Sequence, residues 1–191
     1  MLGQIAVCLL GPVGLAAAIE VNPVQTQIHV ALDRGKQAAV QHHSPETFYS
    51  RFGGEDPAQL EGFLLTKLGS LSVMAAHMAL RGLEPSAADV AQVIEAPTML
   101  VSATIFGESP GFAVNSYMIL DQGERVIKPF TVRADGQADR RGAWPESQKF
   151  WAKVVATFSY ADFDPNAKTT ITIFPSGGGE VRFLVDFAHI E

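Results

Sequence analysis

Residues 100–120 read LVSATIFGESPGFAVNSYMIL, and the fold turns on how this stretch is parsed. Gly107-Glu-Ser-Pro-Gly111 fits G-x-S-x-G, the strand-to-helix elbow that exposes a nucleophilic serine in α/β-hydrolases. Asp162, Asp164, Asp186 and His189 follow in the Ser…Asp…His order of that class. The elbow needs a helix after its second glycine. Here Phe112, Val114, Met118 and Leu120 follow at even spacing, which predicts a strand. Glycine and proline are ordinary turn residues, and His189 lies two positions from the chain end. The stretch therefore reads as strand–turn–strand, with Ser109 kept only as the nucleophile of an alternative exported serine hydrolase.

Further strands are expected on both sides. TMLVSATIFG (98–107), FAVNSYMILD (112–121) and RVIKPFTVRA (125–134) are rich in β-branched and aromatic residues. Gln122-Gly123-Glu124 predicts a hairpin turn. FWAKVVATFSYAD (150–162), KTTITIF (168–174) and EVRFLVDFAHI (180–190) complete the set, the last two joined through Pro175-Ser-Gly-Gly-Gly179. Upstream, TQIHVAL (26–32) alternates and reads as an early strand with Ile28 and Val30 on one face.

Between them the period changes. Leu60, Leu64, Leu68, Leu71, Ala75 and Met78 form a helical stripe that Gly82 closes. Ser86-Ala-Ala-Asp89 is a capping-box start for a second helix over Val90, Val93 and Ile94, stopped by Pro97. The expected fold class is α+β: an antiparallel, immunoglobulin-like β-sandwich with a packed helical hairpin inserted at about 57–96.

At YMILDQGERVIKPFTV (117–132) the chain resembles exported bacterial domains of uncharacterised activity. In these a helical pair precedes a strand hairpin with a glycine at the turn and a proline in the returning strand. Gly123 and Pro129 hold those places, and the resemblance covers residues 58–190. It implies a fold and an exported location and no catalytic residue.

The chain has 191 residues, 47% hydrophobic and 18% charged, which suits one domain with a real core. Its 20 acidic and 14 basic residues give a net charge of −6, which argues against nucleic acid as a partner. The apolar run Ile5–Leu15 ends in Ala16-Ala17-Ala18, an export-signal pattern that lacks a basic start. Residues 1–18 are expected to be a signal peptide cleaved near Ala18. That leaves a single domain at 19–191, with Ile19 first, in the periplasm or outside the cell. Cys8, the single cysteine, would leave with the signal.

The remaining motifs have bland explanations. Asp162-Phe-Asp164-Pro-Asn166 opens like a calcium loop, but Ala167 and Ile173 stand where glycine and glutamate belong. Met74, His77 and Met78 share a helix face that would suit copper in a metal-handling protein, yet Met74 and Met78 lie on the core stripe. His42-His43 reads as a solvated loop. No cofactor or metal is expected, and no transmembrane segment in the mature chain. Seven of the 14 basic residues fall between Arg125 and Lys153. Arg140, Arg141, Trp144 and Trp151 there are the expected contact surface for a protein or glycan partner in the envelope. The function expected by elimination is a non-enzymatic binding or assembly module.

Overall fold

A computed structural model describes residues 18–54, 60–140 and 150–190. Three α-helices and two antiparallel sheets make an α+β molecule.

The chain enters through helix α1 (Gln25–Val40), where an early strand was expected. The apparent alternation of Ile28 and Val30 is only the first turn of a longer period. Ile28, Ala31, Gly35, Ala38 and Ala39 are buried at steps of three and four, while Val30 is 58% exposed. Gln27 starts the helix by accepting the Val24 N–H at 2.8 Å. A 3-10 turn (Pro45–Phe48) leads into strand β1 (Ser50–Gly53).

The helical stripe expected from Leu60 onward divides in two. Glu61–Leu65 is strand β2, antiparallel to β1, and only Lys67–Ala79 is helix α2. Leu60, Leu64 and Leu68 satisfy both periods, and pairing with a neighbouring strand decides for β. Gly62 fixes the close fit, since a methyl there would stand 2.4 Å from the Phe52 ring. Thr66 then caps α2 by accepting the Gly69 N–H at 3.1 Å. Gly82, at φ +70°, ends the helix, with Leu83 N–H reaching back to Met78 O at 2.9 Å. Helix α3 (Ala87–Ile94) carries the expected capping box, Ser86 and Asp89 exchanging bonds of 2.8 and 3.2 Å.

Further strands follow: β3 (Thr98–Gly107), β4 (Tyr117–Asp121), β5 (Val126–Ile127), β6 (Thr131–Ala134), β7 (Asp139–Arg140), β8 (Phe150–Ser159) and β9 (Lys168–Phe174). Strand β10 (Val181–Asp186) closes the set before a 3-10 turn at Phe187–His189. One sheet has the order β1-β2-β3-β8-β6, with β7 also on β8; the other is β10-β9-β4-β5. Lys128-Pro129-Phe130 carries the chain from one sheet to the other, so the expected strand 125–134 is two short strands. Met99, Val101, Ala103, Ile105, Val154 and Phe158 from the first sheet share one buried cluster with Met118, Leu120, Ile171, Ile173, Phe183 and Val185 from the second.

The helices form a separate cluster around Ile28, Ala31 and Leu71, with Val90, Val93 and Ile94 of α3 against it. The expected hairpin partner of α2 was α3. The helix lying along α2 is α1, in close backbone approach at Gly35.

Candidate functional site

A cleft of about 590 Å³ opens between α1, the turn Pro45–Phe48 and the start of α2. That volume suits a small ligand or a protruding group of a larger one. Each wall has a local cause. On α1, Gln27, Val30, Ala31 and Arg34 fall at helical steps on one face. Ser44 accepts the Glu46 N–H and begins the 3-10 turn, which delivers Phe48 and Tyr49 to the opposite wall. Leu68, Gly69 and Ser72 of α2 make the floor. A methyl on Gly69 would stand 3.0 Å from the Phe48 carbonyl, so the turn and the helix meet there closely. The Ser72 hydroxyl donates to Ala31 O at 2.9 Å and ties the floor to α1.

The aromatic wall is held by stacking. Tyr49 lies on Phe63 of β2 with centroids 4.3 Å apart and planes 17° apart. The Arg34 guanidinium sits 5.9 Å from the Phe48 ring centre, at the outer reach of a cation–π contact. Glu20 accepts from Asn22 N–H and Gln27 Nε2 at the mouth. The cleft thus joins an apolar floor and wall to one cation, one anion and several hydroxyl and amide groups.

A smaller cavity of about 350 Å³ lies where α2, α3 and the end of β8 meet. Lys67, buried at the first position of α2, donates from Nζ to Ile94 O, and its ammonium lies 5.1 Å from the Tyr160 ring centre. Burial lowers the Lys67 amine below its ordinary value and raises the Tyr160 phenol above its own. A cation beside the last carbonyls of α3 also complements that helix's dipole. This arrangement clamps the helices to the β-region.

The sequence motifs land elsewhere. Ser109 is exposed in a turn that runs on to Asn115, with Phe112 N–H donating to Ser109 O at 3.2 Å and Val114 N–H to Gly111 O at 3.1 Å. Strand begins only at Tyr117, so Phe112 and Val114, expected in a strand over 112–121, belong to the turn. The Phe112 ring covers Gly107, where a methyl would stand 2.2 Å from it; the motif's first glycine serves that ring. Ser176 Oγ donates to Phe112 O at 3.1 Å, placing the turn beside the end of β9. His189 follows Asp186, which pairs with Lys168 at the beginning of β9. Ser109 and His189 therefore stand at opposite ends of that strand, on the order of 20 Å apart, too far for proton transfer.

Met74 is half-buried and packs with the helical cluster, while His77 is exposed. Asp164 Oδ1 accepts the Asn166 N–H at 2.8 Å in an Asx turn. Among the described residues no three His, Cys, Asp or Glu side chains gather as a metal site. His42 stands at φ 56°, and His43 N–H reaches back to Ala38 O at 2.9 Å, so the pair terminates α1.

Of the expected contact residues, Arg141 and Trp144 lie outside the described residues. Arg140 pairs with Phe150 and Trp151 with Asp139. Neighbouring positions in a strand alternate faces. Arg140 is therefore on the side of Phe150, which packs toward the core, and Trp151 is on the outer face beside Phe106.

No helix among the described residues is long and apolar enough to cross a membrane. Comparison with protein-family models, with curated proteins and with solved structures finds no match to this chain.

Proposed function

We propose that the chain is a non-enzymatic binding module of the cell envelope that takes an apolar-bodied group of a protein or glycan partner into the cleft between α1 and α2. One observation carries this reading: a cleft of about 590 Å³ whose apolar floor and aromatic wall are rimmed by Arg34, Glu20 and Gln27. Val30, a large aliphatic side chain left 58% exposed at its lip, supports it.

The strand order supports an immunoglobulin-like reading of the β-region. In that arrangement four strands ordered A-B-E-D face a second sheet ordered G-F-C with an optional added strand. Here β2-β3-β8-β6 faces β10-β9-β4-β5, with the same crossovers between sheets. For export, the support is the apolar run and the alanine triplet before Ile19. Ile19 itself packs in the core, so cleavage after Ala18 removes no core residue among those described. Arg140, Arg141, Trp144 and Trp151 stay as a proposed second contact.

The test is a photoreactive side chain at Val30, expressed in the native host, with Lys128 as an exposed control. One partner captured from Val30 and not from Lys128, and lost when Thr26→Trp, at an exposed lining position, fills the cleft, is expected. Equal labelling from both positions removes the assignment of the cleft.

A further inference from the structure

Strand β10 is terminal in its sheet and, with six residues, is the longest terminal strand among those described. Its outward groups are set by one bond: Phe187 N–H donates to Ala167 O at 3.2 Å, in the same register that pairs Val185 with Thr169. Residues opposite one another in antiparallel strands either exchange both backbone bonds or make none, in alternation. The odd-numbered residues Val181, Phe183 and Val185 therefore spend their N–H and C=O groups on β9. The even-numbered Arg182, Leu184 and Asp186 aim theirs at the open edge.

The same three residues share the outer face of the sheet, because Phe183 and Val185 are buried in the core. Leu184 is 77% exposed. Arg182 pairs with its near neighbour Glu180 at 2.8 Å, and Asp186 accepts the Ala188 N–H at 3.1 Å and pairs with exposed His189 at 3.2 Å, all of them contacts local in sequence.

From this edge we infer that a second copy of the chain pairs with β10, antiparallel, about a two-fold axis through Leu184. Only that centre sets Arg182 opposite the Asp186 of the second copy, and Asp186 opposite its Arg182. Both ion pairs then form by symmetry, on a face where like charges would repel. Leu184 meets its own copy between them. The register also brings together the residues whose backbone groups point outward, so every outward N–H finds a carbonyl. Phe183 faces the second copy's Val185 on the inner side, which continues the apolar layer across the junction. An exposed edge invites pairing, and here its charges select this register. The inference is independent of the cleft.

The test is sedimentation velocity on the full chain at loadings from about 1 to about 300 µM, the range in which a short strand junction would associate. A monomer–dimer equilibrium is expected. Leu184→Pro removes an outward donor without touching the β9 pairing and should abolish the dimer while the circular dichroism stays native. A self-opposed residue gives a second arm that leaves the backbone intact. Leu184→Lys and Leu184→Glu should each be monomeric alone and should associate when mixed at low salt. With Cys8 replaced by serine, Leu184→Cys should oxidise to a crosslinked dimer, because directly opposed residues in a bonded pair stand about 5.5 Å apart. A chain that is monomeric throughout, a dimer that survives Leu184→Pro, or a Lys–Glu mixture that fails to associate overturns the pairing.

Discussion

Gly35 of α1 lies against the backbone of α2 so closely that a methyl group on it would stand 2.2 Å from the Ser72 carbonyl oxygen. The same methyl would meet Ala75 Cβ at 2.8 Å. Ser72 returns the contact by donating to Ala31 O. This crossing holds the two walls of the cleft in place, so the site depends on a residue that does not line it. Gly35→Ala should lower unfolding free energy by about 2 kcal/mol, since overpacking outweighs the ~1 kcal/mol gain in helix propensity. Urea unfolding against Gly136→Ala, where nothing lies within 4 Å of the added methyl, checks it. An unchanged midpoint in Gly35→Ala would show that the helices can part at no cost.

The two glycines of the G-x-S-x-G stretch should behave differently. Gly107→Ala pushes the Phe112 ring off its seat and should cost about 2 kcal/mol. Gly111→Ala meets nothing within 4 Å and should stay within about 0.5 kcal/mol of the parent. Ser109→Ala should be equally silent, and a fluorophosphonate probe should leave folded protein unlabelled. Labelling at Ser109 would restore the hydrolase reading.

These contrasts show why parts of the molecule were legible in sequence and parts were not. The boundaries of β3 and β9 match their predicted spans, because both are rich in β-branched and aromatic residues and each lies between turn signals. The Ser86 capping box is local chemistry and survives intact. The period of helix α1 is faint in the sequence because its buried stripe is mostly Ala and Gly, which carry little hydrophobic signal, and the alternation of TQIHVAL ends at Leu32, short of Gly35 and Ala38. At Leu60–Leu65 two periods fit the same leucines, and pairing with β3, distant in sequence, decides between them. The cleft had no motif at all. Its walls come from three segments, each looking like ordinary core or turn, and only their packing makes a site. The one available signal was the succession Phe48-Tyr49 after a capped turn.

At the end of α1 a histidine occupies the left-handed position that favours glycine. His42, at φ 56°, carries a Cβ where that conformation costs about 1 kcal/mol. His42→Gly should therefore raise stability by about 0.5–1 kcal/mol in urea unfolding, with no change in metal affinity by titration calorimetry. A loss of stability would mean that the imidazole makes a contact worth more than the strain.

The Ser86–Asp89 box gives the fold a readable acid limb. Hydrogen bonds from the Ser86 hydroxyl and backbone N–H hold the Asp89 carboxyl below its ordinary value. A carboxyl lowered in the folded state adds stability that is complete above its unfolded value near 4 and is lost as pH falls through the folded one. Ser86→Ala removes the cap and the hydroxyl bond that is the larger cause of the shift, and leaves the backbone N–H of residue 86 in place. It should cost about 1 kcal/mol at pH 7, and the gap in thermal midpoint between variant and parent should narrow as pH falls from 5 toward 2. Asp89→Asn, which keeps a partner for the Ser86 N–H but no charge, should flatten the same limb while retaining part of the neutral-pH stability. A parent–variant gap that is constant across that range would place the acid sensitivity elsewhere, in the carboxylates of the β-region.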